Sequence, residues 1–305
     1  MIIDSVLNMI GNTPIMKLNS IEDYGNNIFI KLEGYNPGRS TKDRIALAII
    51  EDAEKNGKLD KETTVIEATS GNTGIALAMI CAVKGYSLKI IMPDNMSKER
   101  IQLMRAYGAD VVLTPGHLGM KACMDKMDEL KKKLKKVFIP NQFSNRMNPE
   151  AHYNNTAEEI IKDMNSKIDY FICGTGTGGS FSGTAKKLKE KIKGVKTFPV
   201  EPEDSPFLSK GYTGPHKIQG MGMSLGKVPD VYDESLADKV LTANYDKSIK
   251  YTKLLAQKEG ILAGISTGAV LSVAVELAKQ NPDKGLNIVI LSTDSGEKYL
   301  SSNVF

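Results

Sequence analysis

Along the 305 residues, short β-branched apolar runs alternate with longer stretches whose apolar positions recur every three or four residues, and Gly, Pro or Asn punctuates the junctions. The runs TVIEA (64–68), LKIIMP (88–93), DVVLT (110–114), VFIPN (137–141), DYFICG (169–174), TFPVE (197–201) and NIVILS (287–292) predict strands. The intervening period predicts helices near 41–56, 73–84, 97–107, 119–136, 149–164, 181–192, 246–259 and 267–280. Strand, helix and strand in succession require right-handed crossovers and mostly parallel sheets covered on both faces. The predicted fold class is therefore α/β. The stretch NQFSNRMNP (141–149) breaks the rhythm and marks a boundary between two such units, 1–147 and 148–305. Residues 13–34 are the stretch that could cross to the second unit.

Open parallel sheets bind ligands beyond the carboxyl ends of their strands, which directs attention to three loops. In EATSGNTGIALA, Thr69, Ser70, Gly71, Asn72 and Thr73 lie between a strand and a helix, a place where amides and hydroxyls hold a carboxylate or phosphate. In ICGTGTGGSFSG, Gly176, Gly178 and Gly179 let backbone approach a phosphate, while Thr177 and Ser180 add donors. This stretch also fits GxGxxG, with Glu201 about twenty residues on, so a nicotinamide dehydrogenase stands as a rival reading. In GILAGISTGAV, Ser266 again precedes a helix.

A fourth stretch, NPGRSTKDRIALAII, sets Lys42 at the start of a predicted helix, where the dipole disfavours a cation. Ser40 reads as the N-cap, Thr41 as the first helical residue and Asp43 as a weak capping-box partner, leaving Lys42 second in the helix. The helix field and burial both favour a neutral amine, the form that condenses with a carbonyl. Three polar loops and one placed lysine match a cofactor with one phosphate, a polar ring and a covalent anchor. Pyridoxal phosphate has that inventory.

Composition narrows the classes further. With 41% apolar and 25% charged residues, the chain reads as a globular protein long enough for two domains. Forty basic against 36 acidic side chains give only +4, too weak and dispersed for nucleic acid; KKKLKK (131–136) reads as a solvated helix end. The start MIIDSVLNMIG lacks a basic n-region, and GIALAMICAV (74–83) is about half a membrane span, so a cytoplasmic location is expected. Cys81, Cys123 and Cys173 have no CxxC spacing, and His117, His152 and His216 no HExxH spacing. No metal site is expected, and the cysteines read as buried hydrophobes.

The whole chain resembles the cysteine synthase (O-acetylserine sulfhydrylase) and cystathionine β-synthase family of pyridoxal-phosphate enzymes. The resemblance runs in order through IGNTPIMKL, NPGRSTKDRIA, ATSGNTGIALA, MPDNMSKER, MRAYGADVVLTPG, NQFSNRMNPEAHY, GTGTGGSFSG, GPHKIQGMG, GISTGA and SGEKYLS. It implies the fold type II architecture of two sheet domains. It implies that Lys42 forms the imine with the cofactor, that Asn72 bonds the ring hydroxyl oxygen and that residues 176–180 cup the phosphate. Ser266 would meet the ring nitrogen and leave it largely unprotonated, suiting the ring to β-elimination more than to transamination. Thr69, Ser70, Gly71, Thr73 and Gln142 would hold the substrate carboxylate.

The implied reaction is β-replacement at a serine-type amino acid, cysteine from O-acetylserine and sulfide. An alternative on the same machinery consumes cysteine, releases sulfide and makes serine, lanthionine or cystathionine. A third class is a degenerate binding protein. The resemblance also implies a homodimer and serine acetyltransferase as a partner. Departures concern the substrate side. The family usually has NPGGSVKDR, whereas Arg39 and Thr41 stand here; Ala68 replaces a commoner proline; and GMGMSLGKVPDV replaces GIGAGFVP. Met221, Gly222, Asp230 and Asp233 are thereby candidates for a loop facing the second substrate.

Overall fold

The computed structural model describes residues 2–69, 71–223, 226–302 and 304–305. In chain order the elements begin with β1 (Ile15–Lys17), β2 (Asn27–Leu32), α1 (Lys42–Lys55), β3 (Thr64–Ala68), α2 (Asn72–Lys84), β4 (Ser87–Pro93), α3 (Lys98–Ala106), β5 (Asp110–Thr114), α4 (Gly119–Lys133) and β6 (Val137–Phe138). Then come α5 (Met147–Ala151), a π-helical turn (His152–Thr156), α6 (Ala157–Asp163), β7 (Tyr170–Gly174), α7 (Gly179–Lys191), β8 (Lys196–Pro202) and α8 (Phe207–Lys210). The chain closes with β9 (Leu241–Ala243), α9 (Tyr245–Glu259), α10 (Ile265–Gln280), β10 (Asn287–Ser292) and a 3-10 turn at Gly296–Ser302.

Two sheets result, of four strands in the order β5-β4-β3-β6 and of six in the order β1-β2-β10-β7-β8-β9. Every pairing is parallel except β1 with β2. The α/β class read from the alternating pattern is the fold observed. Strands β3 and β4 are covered on both faces, and α2 and α10 are buried along most of their length, so their apolar residues do not mark a single stripe.

Several boundaries differ from those predicted. β1 and β2 are absent from the predicted set because β1 has three residues and β2 carries Asn27 and Lys31, which read as polar. β2 pairs with β10, at the other end of the chain, and β1 pairs with β2 at the edge of the six-stranded sheet. The predicted strand 137–141 shrinks to two residues, and α4 ends at Lys133 because Leu134 turns extended. The predicted helix 149–164 is three pieces, with the π turn inserted at His152. Residue 39 takes φ of +64°, the left-handed region where the family's glycine meets no penalty and Arg39 is strained by roughly 1 kcal/mol.

One buried ion network ties the layers. Arg44 of α1, 4% exposed, pairs with Glu33 directly after β2 through Nε at 2.6 Å and Nη2 at 2.8 Å. The same guanidinium reaches Glu159 of α6 at 2.6 and 2.8 Å, and the Thr13 hydroxyl donates to Glu33 at 2.6 Å. Lys31, fully buried, completes it with Glu159 at 2.9 Å. Arg44 holds the Glu33 carboxyl below its ordinary range although burial alone would raise it. Replacing one member strands the others' charges. Arg44→Met is therefore expected to lower the unfolding free energy by about 3–5 kcal/mol in urea titration; a loss under 1 kcal/mol would show that the network is not needed to hold α1.

Candidate active site

A cavity of about 290 Å³ opens between the two sheets, at the carboxyl ends of β3 and β7. Lys42 lines it as the first residue of α1, one position earlier than predicted. Thr41 occupies the cap with αR dihedrals and no side-chain bond, while the Ser40 hydroxyl accepts from the Lys42 N–H at 3.3 Å. Asp43 is not a capping-box partner: its carboxylate accepts from the Gly38 N–H at 2.6 Å, and burial raises it to about 7. Burial lowers the Lys42 amine, opposed by the field of Asp294, so the predicted shift towards a neutral amine has its expected cause.

The first loop turns into α2 at Asn72 and brings Thr69, Gly71, Asn72 and Thr73 to the cavity. Ser70 lies outside the described residues. The Thr73 hydroxyl donates to Gln142 Oε1 at 2.7 Å, which fixes a side chain 69 positions away in sequence. Asn72 is clamped at both ends. Its Oδ1 accepts from Lys298 Nζ at 2.8 Å, and its Nδ2 donates to Asp294 Oδ2 at 2.8 Å. The same carboxylate oxygen accepts from the Tyr299 hydroxyl at 2.8 Å.

The second loop carries Gly176, Thr177, Gly178 and Ser180 to the cavity, with Gly179 opening α7. Gly178 takes φ of +85°. A side chain at Gly179 would collide with Asn148 Oδ1, so bare backbone is a packing requirement there. Asn148 Nδ2 bonds Thr177 Oγ1 at 3.1 Å and the Gln142 carbonyl at 2.7 Å, joining this loop to the first. Behind Ser180, at 3.0 Å, stands Nε2 of His152, whose Nδ1 meets Thr156 at 2.9 Å across the π turn. Burial pushes this histidine down to about 3, so it is neutral. Ser266, second in α10, lines the far end of the cavity and bonds Thr293 at 2.7 Å.

Met221 and Gly222 form part of the wall. Asp230 instead lines a second cavity of about 340 Å³, which shares Met120 and Phe143 with the first. The Asp233 carboxylate caps its own turn, accepting from Ser235 N at 3.0 Å and Oγ at 2.6 Å. Sequence reading missed Arg100, His216, Gln219, Asp294 and Tyr299, all of which line the main cavity. Arg100, 3% exposed, bonds Gln219 at 2.7 Å and stacks over Tyr299 at 4.7 Å. Only a predicted 3.6-period face that would bury a charge could have flagged it. Among the described residues no cluster of metal-ligating side chains occurs, and no helix is long and apolar enough to cross a membrane. Glu201, the acidic residue of the dehydrogenase reading, is buried and accepts from Leu208 N, Ser209 N and Ser209 Oγ at 2.7, 2.9 and 2.6 Å.

Residues 6–294 match the family model described as pyridoxal-phosphate dependent enzyme. A cysteine synthase of Staphylococcus aureus is 44% identical over 305 residues, covering 99% of this chain and 97% of the relative. The chain belongs to the cysteine synthase family of pyridoxal-phosphate-dependent enzymes. A crystal structure of a hydrogen sulfide-producing enzyme from Fusobacterium nucleatum superposes with a TM-score of 0.96 at 67% identity, covering 98% of this chain and all of that one. A cysteine synthase from Entamoeba histolytica gives 0.95 at 38% identity, covering 100% and 91%.

The residues present suit the cofactor. A glycine loop barred from carrying side chains opens a thirteen-residue helix, a lysine of lowered pKa stands in the same cavity, and a serine hydroxyl closes its far end. Glu201, the carboxylate a dinucleotide's ribose would need, is buried and already accepts from Leu208 N and from Ser209 N and Oγ, so the dehydrogenase reading is set aside.

Because the folded state keeps His152 neutral while the unfolded chain protonates it, its contribution to stability is present above about pH 6.5 and lost as pH falls towards 3. A His152→Asn variant should lose less stability between pH 6 and 4 than the parent, by about 1.4 kcal/mol per pH unit. Equal slopes in denaturant titrations at those pH values would contradict a neutral buried histidine.

Proposed function

We propose that the protein exchanges the β-substituent of a serine-type amino acid, making cysteine from O-acetylserine and sulfide. One observation carries this reading: the Lys42 amine shares a cavity with a bare glycine loop on one side and the Thr73–Gln142 pair on the other. When bound, pyridoxal phosphate supplies an aldehyde for an amine to condense with and a ring that takes up the electron pair left at Cα.

In this reading Gly176, Thr177, Gly178, Gly179 and Ser180 hold the phosphate at the start of α7. Neutral His152 orients the Ser180 hydroxyl without competing as a charge. Asn72, fixed by Lys298 and Asp294, would bond the ring hydroxyl oxygen, and Ser266 would meet the ring nitrogen as a neutral partner. Thr69, Ser70, Gly71, Thr73 and Gln142 bind the substrate carboxylate, which orients the Cα proton towards Lys42. The lysine amine removes that proton and later returns one at Cα. Burial lowers its pKa and so favours the free-base form that this step needs. Met221 and Gly222, with Asp230 and Asp233 further along the same segment, belong to the side on which the second substrate arrives. A cytoplasmic homodimer able to bind serine acetyltransferase completes the proposal.

A second reading runs the exchange with cysteine as the first substrate and sulfide as the product. The 67% identity to a hydrogen sulfide-producing enzyme over nearly the whole chain favours it, as does the altered 221–230 segment. Sulfide release from cysteine, measured beside cysteine formation from O-acetylserine, decides between them: the first reading expects the second rate to exceed the first, and the reverse order establishes the second reading.

Lys42→Ala should lower turnover by about 10²–10⁴-fold from loss of the base alone. It should also abolish the borohydride-fixed cofactor adduct on the peptide containing residue 42. An adduct found on another lysine would remove Lys42 from the role of anchor.

A further inference from the structure

Glu67, on β3 one residue before the strand ends, is 3% exposed and points away from the main cavity to line the second one. Its Oε2 accepts from the Asn141 N–H at 3.0 Å, and the carboxylate also draws on the Gln142 N–H. Asn141 takes φ of +49°, so the chain bends sharply there and the two amides point to one acceptor. The next contacts run outward from Gln142. Its side chain receives the Thr73 hydroxyl at 2.7 Å, and its carbonyl receives Asn148 Nδ2, which also bonds Thr177 at 3.1 Å. One buried carboxylate thus holds the segment through which the carboxylate loop and the glycine loop are joined.

Resting on the function proposed above, we infer that Glu67 is a positioning residue for the Thr73–Gln142 clamp, and that its ionisation tightens the grip on the substrate carboxylate. The ionised form is the stronger acceptor for the two amides. No cation lies within 4 Å of Glu67 among the described residues. Lys227 and Asp230 are the charged groups on the same cavity, both exposed on the altered segment. From α4 the cavity receives Met120, Met124 and Met127; the neighbouring thiol, Cys123, is engaged with Thr114 at 3.0 Å. The charges of α4 pair with one another outside, as Lys121 with Asp125 and Glu129 with Lys126 and Lys133. On β4 the residue paired with Glu67 is Ile90. Burial accordingly raises the Glu67 carboxyl to about 7, opposed only by the two amides, so ionisation changes within the working range.

The test is binding of L-alanine, which has no leaving group, to the cofactor-loaded protein, followed by the visible spectrum between pH 6 and 8.5. The ligand's amine titrates identically for every variant, so the readout is the ratio of Kd in Glu67→Gln to Kd in the parent. Gln keeps the shape and one acceptor while fixing the neutral state. The ratio is expected to be near one at pH 6 and to rise about five- to tenfold by pH 8.5. A Gln142→Ala background should weaken binding at every pH and remove that rise. A ratio that is constant with pH means a purely structural role and overturns the inference. Asp43 also titrates near 7, but a dependence arising there persists equally in Glu67→Gln and leaves the ratio flat. A loaded protein that binds no amino acid at any pH overturns the proposed function itself, and this inference with it; unchanged profiles with intact binding overturn the inference alone.

Discussion

A guanidinium buried between two carboxylates, Arg44 between Glu33 and Glu159, sets where the lysine two residues earlier can stand. Taking three charges out of water costs several kcal/mol each, and only close bidentate geometry returns it. That geometry is satisfied at one rotation and one translation of α1. Residues two apart on a helix face opposite sides, so fixing Arg44 on the β2 and α6 side turns Lys42 towards the cavity. The lysine is thus placed by a contact on the far side of its own helix, and among the described residues its amine makes no ion pair.

The same economy of charge shapes the cavity. Arg100 and Lys298 join Lys42 as basic groups in or beside it, and Asp294 is the carboxylate among its described lining residues. Burial lowers both lysines, and an excess of positive potential remains for anionic groups to answer. In the proposed function a cofactor phosphate and an amino-acid carboxylate would do so, while neutral groups, His152 and the hydroxyls of Ser180, Ser266 and Thr73, would supply direction. Asp294 orients Asn72 and receives the Tyr299 hydroxyl, and its charge offsets part of that field, as its opposition to the lowering of Lys42 shows.

How much of this was legible in the sequence follows from the range of the interactions. Lys42, the glycine loop and the TSGNT loop announce themselves locally, because a helix start, a tight backbone approach and a run of hydroxyls are properties of a few consecutive residues. The α/β class was legible for the same reason, through period. β2 was not, since Lys31 looks solvent-facing until Glu159, 128 positions later, is found beside it. The π turn at His152 was read as ordinary helix, and the burial of Arg100 depends on Tyr299 and Gln219, each more than a hundred residues away. Glu67 reads as one polar residue in an apolar strand; its meaning lies in amides at 141 and 142. Even the helix start was misjudged by one residue, because Asp43 turns back to Gly38 instead of capping its own helix.

Of the departures from the family's usual motifs, Arg39 and Thr41 flank the lysine, whereas Ala68 and the 221–230 segment fall on the other side of this arrangement. The glycine loop, Asn72 and Ser266 are held by Asn148, Lys298, Asp294 and Thr293, none of which lies in the altered 221–230 segment. Among its described residues, that segment lines the main cavity through Met221 and Gly222 and extends to the second cavity through Lys227, Pro229 and Asp230. Ala68 lines the second cavity as well, where a proline ring would fill space beside Glu67. Among the described residues the wall and the cofactor side share one hydrogen bond, Gly222 N to the Thr175 carbonyl at 2.8 Å, which leaves the wall room to change its shape and charge. A division of this kind lets one lysine and one phosphate loop serve different β-substituents, with the identity of the exchanged group written in the wall.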